Sequence, residues 1–185
     1  MASTYTDVGL ELIGVGEQAN TWGQTTNTNW RLVEELATGV ASINLDGLTS
    51  YTLTTTPGAT SNGRHYVVEF TGFPGATSTV TVSPNTMKKV YVVSNYTDQA
   101  VVITQGSGGD IQVPVGASKI IYCDGAGSSA RVTDVTANLS VNSLSVSSMY
   151  IGPSWSVEEV SGELIFQSTS GGSIKVTASG EIDET

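Results

Sequence analysis

The residues with the greatest catalytic potential are a single histidine and a single cysteine. Nucleophilic catalysis places a Ser, Cys or Thr beside a base, usually His. His65 lies in GRHYVVEF at the start of a predicted strand, with Arg64 and Glu69 nearby, and this position favours a strand-edge or turn residue over a catalytic base. Cys123 lies in IIYCDG beside Asp124, whereas a reactive thiolate needs nearby positive charge. We interpret Cys123 as a buried or half-buried apolar residue.

Two adjacent glutamate pairs, Glu34–Glu35 and Glu158–Glu159, are the candidates for paired-carboxylate chemistry of the kind that glycoside hydrolases use. Neighbouring residues on a helix or a strand diverge, so neither pair is expected to share a site. Solvated faces are the better interpretation of both pairs.

Three aspartates, Asp110, Asp124 and Asp134, fall in predicted turns, where Asp stabilises the backbone. Their oxygens are suitable Ca²⁺ ligands, but no loop has EF-hand spacing. The phosphate-binding motifs G-x-x-x-x-G-K-[ST] and G-x-G-x-x-G do not occur in the sequence either. We therefore expect no catalytic site, no metal and no cofactor, and a structural or binding role in place of an enzyme.

Composition narrows the possible partners. The 185 residues carry a net charge of −10 with only 7 Lys and Arg, so we expect neither nucleic-acid binding nor attraction to an anionic membrane surface. No long apolar run that could span a bilayer is present. The N-terminus MASTYTDVGL lacks a signal-peptide pattern, which predicts synthesis in the cytoplasm.

The hydrophobic pattern divides the chain into an N-terminal anchor (1–45), a β-sandwich (46–135) and a C-terminal strand and hairpin segment (136–185). The anchor contains one predicted helix over 27–38, in which Trp30, Val33 and Ala37 recur at helical spacing. From residue 45 onward the period changes to two, with turn chemistry between short strands. We predict a mainly-β fold: a jelly-roll-like β-sandwich with a short N-terminal helical anchor and a C-terminal strand-rich oligomerisation segment. The predicted sandwich strands are 50–56, 65–70, 78–83, 88–97, 100–105, 110–115 and 118–125.

The C-terminal segment has apolar positions that need a partner. The uncharged repeat NLSVNSLSV either packs three copies around an axis or adds a strand to the chain's own sandwich; the residues that would be buried are Leu139, Val141, Leu144 and Val146. Beyond it, 155–160, 163–168 and 173–177 read as three strands whose apolar face includes Trp155 and Phe166. Either the sandwich or other copies of the chain would cover that face.

The stretch LELIGVGEQANTWGQTTNTNWRLVEELATGV (10–40) resembles the N-terminal segment of virion structural proteins of tailed bacteriophages, most closely those of marine phages and cyanophages, of tail-fibre type. The matching positions are Leu12-Ile13-Gly14, Gly16-Glu17, Asn20-Thr21-Trp22-Gly23, Thr26-Asn27 and Glu34-Glu35. The C-terminal sequence SVEEVSGELIFQSTSGGSIKVTASGEI is similar to strand repeats of phage fibres, through common motifs. The resemblance implies a virion component, a homotrimer, and other virion proteins of tail or capsid as partners.

The resemblance gives the tryptophans of the anchor a role. We expect Trp22 and Trp30, with Leu12, Ile13 and Val33, to dock against neighbouring subunits or the virion, because Trp is enriched among interface hot spots. In the alternative, Trp30 faces the chain's own β-domain and Trp22 caps the helix.

The expected function is that of a tail-fibre or fibre-adaptor component located in the virion, and the short chain also suits a capsid decoration or head-fibre protein. A carbohydrate-binding module that recognises a host surface glycan is a further alternative, since such modules are β-sandwiches with exposed aromatic residues. Its candidate residues are Tyr51, Tyr66, Tyr91, Tyr96 and Tyr122. An enzyme is the third alternative.

Overall fold

The computed structural model describes residues 2–137, 140, 148–151, 154–168, 170–177, 179–180 and 182–184. The chain divides into two compact units, Met1–Leu139 and Ser140–Thr185. The predicted mainly-β, sandwich-like fold with one short helix is confirmed. The predicted buried residues Leu139, Val141, Leu144 and Val146 lie outside the described residues.

The first unit begins with a small hairpin and the helix. Strands β1 (Thr4–Tyr5) and β2 (Glu11–Leu12) pair antiparallel, and helix α1 spans Trp22–Thr38. The helix starts five residues before the predicted 27–38. The prediction omitted residues 22–26 because WGQTT has low intrinsic helix propensity. No helix among the described residues has the length and apolar character that crossing a bilayer requires.

Two sheets form the body of the first unit. The first sheet has the order β11-β10-β7-β5-β3 and the second has the order β4-β6-β8-β9. The strands are β3 (Val40–Asn44), β4 (Ser50–Thr54), β5 (Val67–Thr71), β6 (Ser78–Ser83), β7 (Lys88–Asn95), β8 (Val101–Thr104), β9 (Ile111–Val113), β10 (Ser118–Asp124) and β11 (Val132–Asp134). Inward residues of both sheets, such as Phe70 and Tyr91 of the first and Val80 and Ile103 of the second, meet in one buried cluster. The two sheets therefore enclose a single core, as expected for the predicted β-sandwich.

The strands of this unit alternate between the two sheets. The chain passes from β3 to β4, returns to β5, and continues to β6, β7 and β8, so each return completes one coil around the core. Because successive coils run in the same direction, β3, β5 and β7 pair parallel, and so do β4, β6 and β8. The comparison with a jelly roll therefore does not extend to the connectivity, since neighbouring strands of a jelly roll are antiparallel.

The coiled arrangement has two different ends. At one end β9, β10 and β11 reverse direction and pair antiparallel with β8, β7 and β10. At the other end β3 and β4 are the outermost strands of their sheets, and β3 follows directly after α1. The sequence analysis missed β3, whose five residues VASIN follow the helix after the single C-cap residue Gly39.

The second unit contains an antiparallel meander. Its strands, in spatial and sequence order, are β12 (Ser148–Ile151), β13 (Trp155–Val160), β14 (Glu163–Ser168), β15 (Gly172–Val176) and β16 (Ile182–Glu184). The three strands predicted here correspond to β13, β14 and β15. Ser161 and Gly162 both have positive φ, 55° and 86°, which is the geometry of a two-residue hairpin turn.

Candidate interaction surface

Helix α1 has one side that packs against the rest of the first unit. Leu32 is its buried residue. Asn29 contacts β2, where its Oδ1 accepts from the Glu11 N–H at 2.9 Å and its Nδ2 donates to the Glu11 carbonyl at 2.8 Å. Thr25 donates to Gln18, whose own amide donates to the Glu11 carboxylate. The inward side of the helix is thus held largely by polar contacts.

Beside this inward side, α1 carries Trp22, Trp30, Val33 and Ala37, which we call the tryptophan face; the rest of the exposed surface of the helix is polar. Trp22 is 61% exposed and Trp30 is 67% exposed, while Val33 is partly buried and Ala37 is exposed. A surface helix normally turns its apolar stripe inward. Here two indoles lie in solvent on a helix whose inward side is already bound, so the stripe is available to a partner.

The N-terminal hairpin adds apolar surface beside the helix. Leu12 is exposed and Ile13 is partly buried. Because Asn29 binds both backbone groups of Glu11, the hairpin and the helix form one local structure. The structure thus joins, through this contact, the segments that carry the predicted residues Leu12, Ile13, Trp22, Trp30 and Val33.

Arg64 connects this local structure to the sandwich. Its side chain is fully buried, and its Nε donates to the Val8 carbonyl at 3.0 Å. Its Nη1 lies 3.3 Å from Glu35 Oε2 of the helix and donates to the Ala59 carbonyl at 2.6 Å. Its Nη2 donates to the Thr56 carbonyl at 2.6 Å. One guanidinium thus ties together the N-terminal segment, α1 and the β4–β5 connection.

The chain approaches the Arg64 side chain closely on one side. Gly9 has φ +80°, and a Cβ at this position would lie 2.6 Å from Arg64 Nη2. A larger residue at position 9 would therefore displace the guanidinium as well as strain the backbone.

Lys89 fixes the turn that presents Arg64. Its ammonium group donates to the carbonyls of Gly63, Arg64 and His65, and it lies 4.3 Å from the centre of the Tyr91 ring. Tyr91 also donates to the Gly63 carbonyl, at 2.7 Å. Burial, with a smaller contribution from the positive charge of Arg64, lowers the pKa of Lys89 to about 7. The turn at residues 62–65 is therefore supported from within the core.

The sequence analysis missed both buried cations. Arg64 carries no pattern that marks it as buried, since its position depends on the N-terminal segment and α1, which are both distant from it in the sequence. Lys89 had a usable signal: it alternates with Tyr91 and Val93 on the inward side of β7.

The alternative arrangement of the two tryptophans differs from what the structure shows. Trp30 is exposed instead of facing the β-domain, and Trp22 is the first residue of the helix, after the N-cap Thr21. No side-chain hydrogen bond caps this helix end. An interface role for the two indoles stays a prediction.

The residues considered for nucleophilic catalysis lie apart from this surface or have structural contacts. His65 Nδ1 lies 3.2 Å from the Ser61 carbonyl. Cys123 is fully buried in the core of the sandwich, and burial raises the pKa of its thiol to about 12. The thiol is therefore protonated and inaccessible at neutral pH.

The candidate carboxylates are also separated. Glu35 pairs with Arg64, whereas Glu34 is exposed. Glu158 and Glu159 point to opposite faces of β13, as residues adjacent in a strand do.

Two of the three candidate aspartates stabilise turns. Asp124 accepts from the N–H groups of Arg131 and Ala126, and these bonds lower its pKa. Asp134 pairs with Lys119 at 2.8 Å, which with Thr136 lowers its pKa to about 2. Among the described residues, no three His, Cys, Asp or Glu side chains are grouped so that they could hold a metal ion.

The tyrosines proposed for glycan binding do not share one exposed surface. Tyr91 is fully buried, which overturns its assignment to a binding face. Tyr51 is partly buried and its hydroxyl accepts from Asn62 at 2.8 Å. Tyr66, Tyr96 and Tyr122 are exposed.

Comparison with protein-family models, with curated proteins and with solved structures finds no match to this chain.

Proposed function

We propose that this chain is a structural component of a tailed-bacteriophage virion, of tail-fibre or fibre-adaptor type. Its tryptophan face and N-terminal hairpin attach a homo-oligomeric, mainly-β body to another virion protein. The chain works by holding parts of a particle together, without a chemical step. The family resemblance of residues 10–40 supports this proposal, together with the structure adopted by the same residues.

The observation that carries the proposal is the exposure of Trp22 and Trp30 on an ordered helix. A Trp side chain removes about 150–250 Å² from water when it is buried, so two exposed indoles are a large uncovered apolar surface. Trp is enriched among interface hot spots, which are typically surrounded by contacts that contribute little energy but exclude water. Thr26, one turn from each indole on the same side of the helix, would contribute to the polar rim of such an interface.

The way the helix is held also supports an attachment role. Arg64 binds Glu35 of α1 and the Val8 carbonyl, so the surface is fastened to the sandwich on its inner side. A fastened surface loses little conformational freedom on binding, which favours affinity. Force applied at the tryptophan face would pass through these contacts into the sandwich.

Trp30→Ala tests the proposal, with Phe73→Ala as its matched control. Phe73 is 74% exposed and lies outside the anchor, so its replacement removes a comparable exposed aromatic side chain. In purified particles of the phage that encodes the chain, we expect Trp30→Ala to be incorporated about tenfold less than wild type, as for one hot-spot residue. Phe73→Ala should be incorporated like wild type.

Quantitative immunoblots of the particles measure incorporation, and antibody-labelled electron microscopy locates the chain on tail or capsid. Labelling of the tail supports the fibre or adaptor assignment, whereas labelling of the capsid replaces it with a decoration or head-fibre role. Absence of the chain from particles, or equal incorporation of Trp30→Ala and wild type, would contradict the proposal.

A further inference from the structure

The outermost strand of the first sheet, β3, bonds to a neighbouring strand along one edge only. On that side the Val67 N–H of β5 donates to the Gly39 carbonyl at 3.1 Å, and the Leu45 N–H donates to the Thr71 carbonyl at 2.8 Å. The two strands are parallel and in continuous register between these bonds. In such a ladder, alternate residues of a strand direct both of their backbone groups to the same neighbour.

The register leaves every second residue of β3 without a strand partner. The residues in phase with Gly39 and Leu45 direct their N–H and C=O groups towards β5. The intervening residues direct their backbone groups away from the sheet; they are Val40, Ser42 and Asn44, and we call their N–H and C=O groups the β3 edge.

The β3 edge is uncovered within the described part of the chain. No hydrogen bond from a described residue reaches the N–H or C=O groups of this edge. Val40 is 54% exposed, and the side chains of Ser42 and Asn44 are exposed as well. The edge therefore presents a row of backbone donors and acceptors to solvent.

The opposite end of the stack of coils is closed. There the Val132 N–H donates to the Gly109 carbonyl at 3.1 Å, and the Gly108 N–H donates to the Ala130 carbonyl at 3.0 Å. These bonds join the segments around the start of β9 and of β11, which are the outermost strands of the two sheets at that end. The two sheets are thus linked by backbone bonds at one end of the stack, while β3 stays open at the other.

The β3 edge also lacks the features that protect exposed strand edges. Proteins protect such edges with short strands, charged side chains, proline or a covering segment. Strands β9 and β11 have three residues each, with Pro114 directly after β9 and Asp134 at the end of β11. Strand β3 has five residues, VASIN, without a charge or a proline. Its edge is therefore competent to pair with another strand.

The chemistry of the edge selects an extended polypeptide as its occupant. The donors and acceptors of a strand edge repeat every two residues, or about 6.6 Å. An extended main chain has the same repeat, and its addition to an open sheet edge is a recurring form of peptide recognition. Sugars, lipids and nucleic acids do not offer this pattern of alternating donors and acceptors.

The position of the edge favours a segment of the attachment partner over a second copy of this chain. Only Gly39 separates β3 from α1, and Ala37 of the tryptophan face lies just before it. A protein bound at the tryptophan face is therefore next to the β3 edge. Two copies paired through this edge would bring together chains that each carry a net charge of −10, over a contact of only five residues per chain.

We propose that the virion protein bound at the tryptophan face also adds an extended segment to the first sheet, as a further strand along the β3 edge. This inference rests on the proposed function and extends the attachment from side-chain contacts to backbone pairing. Inward side chains of the added strand would lie beside Ala41 and Ile43, which are buried. We therefore expect the segment to carry apolar residues at alternate positions.

Ser42→Pro tests the pairing, because proline removes an edge-facing N–H and its ring obstructs an incoming strand. The N–H groups that bond β3 to β5 stay in place, so the variant should fold, which thermal unfolding checks. In purified particles, we expect incorporation of Ser42→Pro to fall about tenfold, as for one lost anchoring contact. Ser42→Thr keeps the N–H and should be incorporated like wild type.

Thr52→Pro in β4 is the matched control. The Thr79 N–H donates to the Thr49 carbonyl at 2.9 Å, so the residues of β4 in phase with Thr49 bond to β6 and the Thr52 N–H faces away from its sheet. The variant thus places the same proline at an equivalent position of the outermost strand of the other sheet. We expect it to be incorporated like wild type, because the proposed strand pairs with β3.

Hydrogen exchange of the wild-type chain gives a measurement that does not depend on the folding of a variant. In the isolated chain, the N–H groups of Val40, Ser42 and Asn44 should exchange rapidly, whereas those of Ala41 and Ile43 should exchange slowly. In purified particles, the three N–H groups of the β3 edge should become protected. Mass spectrometry of fragments covering residues 39–45 measures both states.

Each contrary result has a defined meaning. Equal incorporation of Ser42→Pro and wild type, an equal loss in Thr52→Pro, or unchanged exchange of the β3 edge in particles would overturn the inference. A lower mass of isolated Ser42→Pro than of wild type in light scattering would identify a second copy as the occupant and overturn it too. Reduced incorporation of Trp30→Ala with normal incorporation of Ser42→Pro would contradict only this inference, whereas absence of the chain from particles would contradict the proposed function and the inference together.

Discussion

Arg64 determines how the N-terminal segment and α1 are held, and Arg64→Met tests this dependence. The substitution keeps much of the side-chain volume but removes every donor. The carbonyls of Val8, Thr56 and Ala59 then lose their guanidinium partner, and the Glu35 carboxylate loses its counter-ion. The Glu35 side chain is 15% exposed, so solvent compensates for only part of this loss.

The expected cost follows from these contacts. Removing one partner of a buried ion pair costs about 3–5 kcal/mol, and each buried polar group left unpaired costs about 1–3 kcal/mol. Since the solvent that enters will satisfy some carbonyls, we expect the free energy of unfolding to fall by about 4 kcal/mol. For a chain of this size, such a loss lowers Tm by about 10 °C.

Two assays measure this effect. Thermal and urea unfolding give the loss of stability, and hydrogen exchange over residues 2–21 reports whether the N-terminal segment is released. Arg31→Met is the control, because Arg31 is an exposed arginine of the same helix and its replacement should change Tm little. If Arg64→Met unfolds within about 1 kcal/mol of wild type and exchange over residues 2–21 is unchanged, Arg64 does not hold the N-terminal segment.

Two further predictions concern titratable groups of the sandwich. The pKa of Asp134 is lowered from its ordinary 3.8 to about 2 by Lys119 and Thr136, so the pair stabilises the folded state above pH 4 and this contribution is lost as pH falls towards 2. Asp134→Asn should therefore reduce the free energy of unfolding at pH 6 by about 1 kcal/mol, a modest value because partial exposure of Lys119 lets solvent screen the pair. The substitution should have little effect at pH 2. Equal losses in urea titrations at both pH values would refute this. Cys123 should not react with a thiol reagent in the native protein and should react fully in urea, because it is buried and its thiol pKa is raised to about 12; rapid native labelling would contradict this.

The hydrophobic pattern predicted the strands well where turn chemistry was local. The Ser-Gly turn between β13 and β14 has the positive φ values that such a hairpin needs, and the limits of both strands agree with the prediction. The two exposed tryptophans were also recognisable, because a polar segment cannot bury them by itself. Local sequence signals were therefore sufficient to predict these strands and to single out the candidate interaction surface.

Features that depend on distant contacts were not predictable in the same way. Alternation in β5 identifies a strand, but it does not say that Val67 pairs parallel with Val40 and with Val92. The start of α1 at Trp22 depends on contacts such as Thr25 with Gln18, which compensate for poor intrinsic propensity. The burial of Arg64 likewise requires three segments to meet, and no single segment encodes it.

The parallel winding of the first unit has a consequence for how this protein can change in length. Each coil pairs only with the coil before and the coil after it, and the two ends are built differently, by the outermost strands β3 and β4 at one and by the antiparallel strands β9–β11 at the other. A duplication or deletion of one whole coil would leave both termini of the stack intact. The distance between the tryptophan face and the opposite end of the stack could thus change in evolution by one coil at a time. The stack of coils would then act as a spacer of adjustable length.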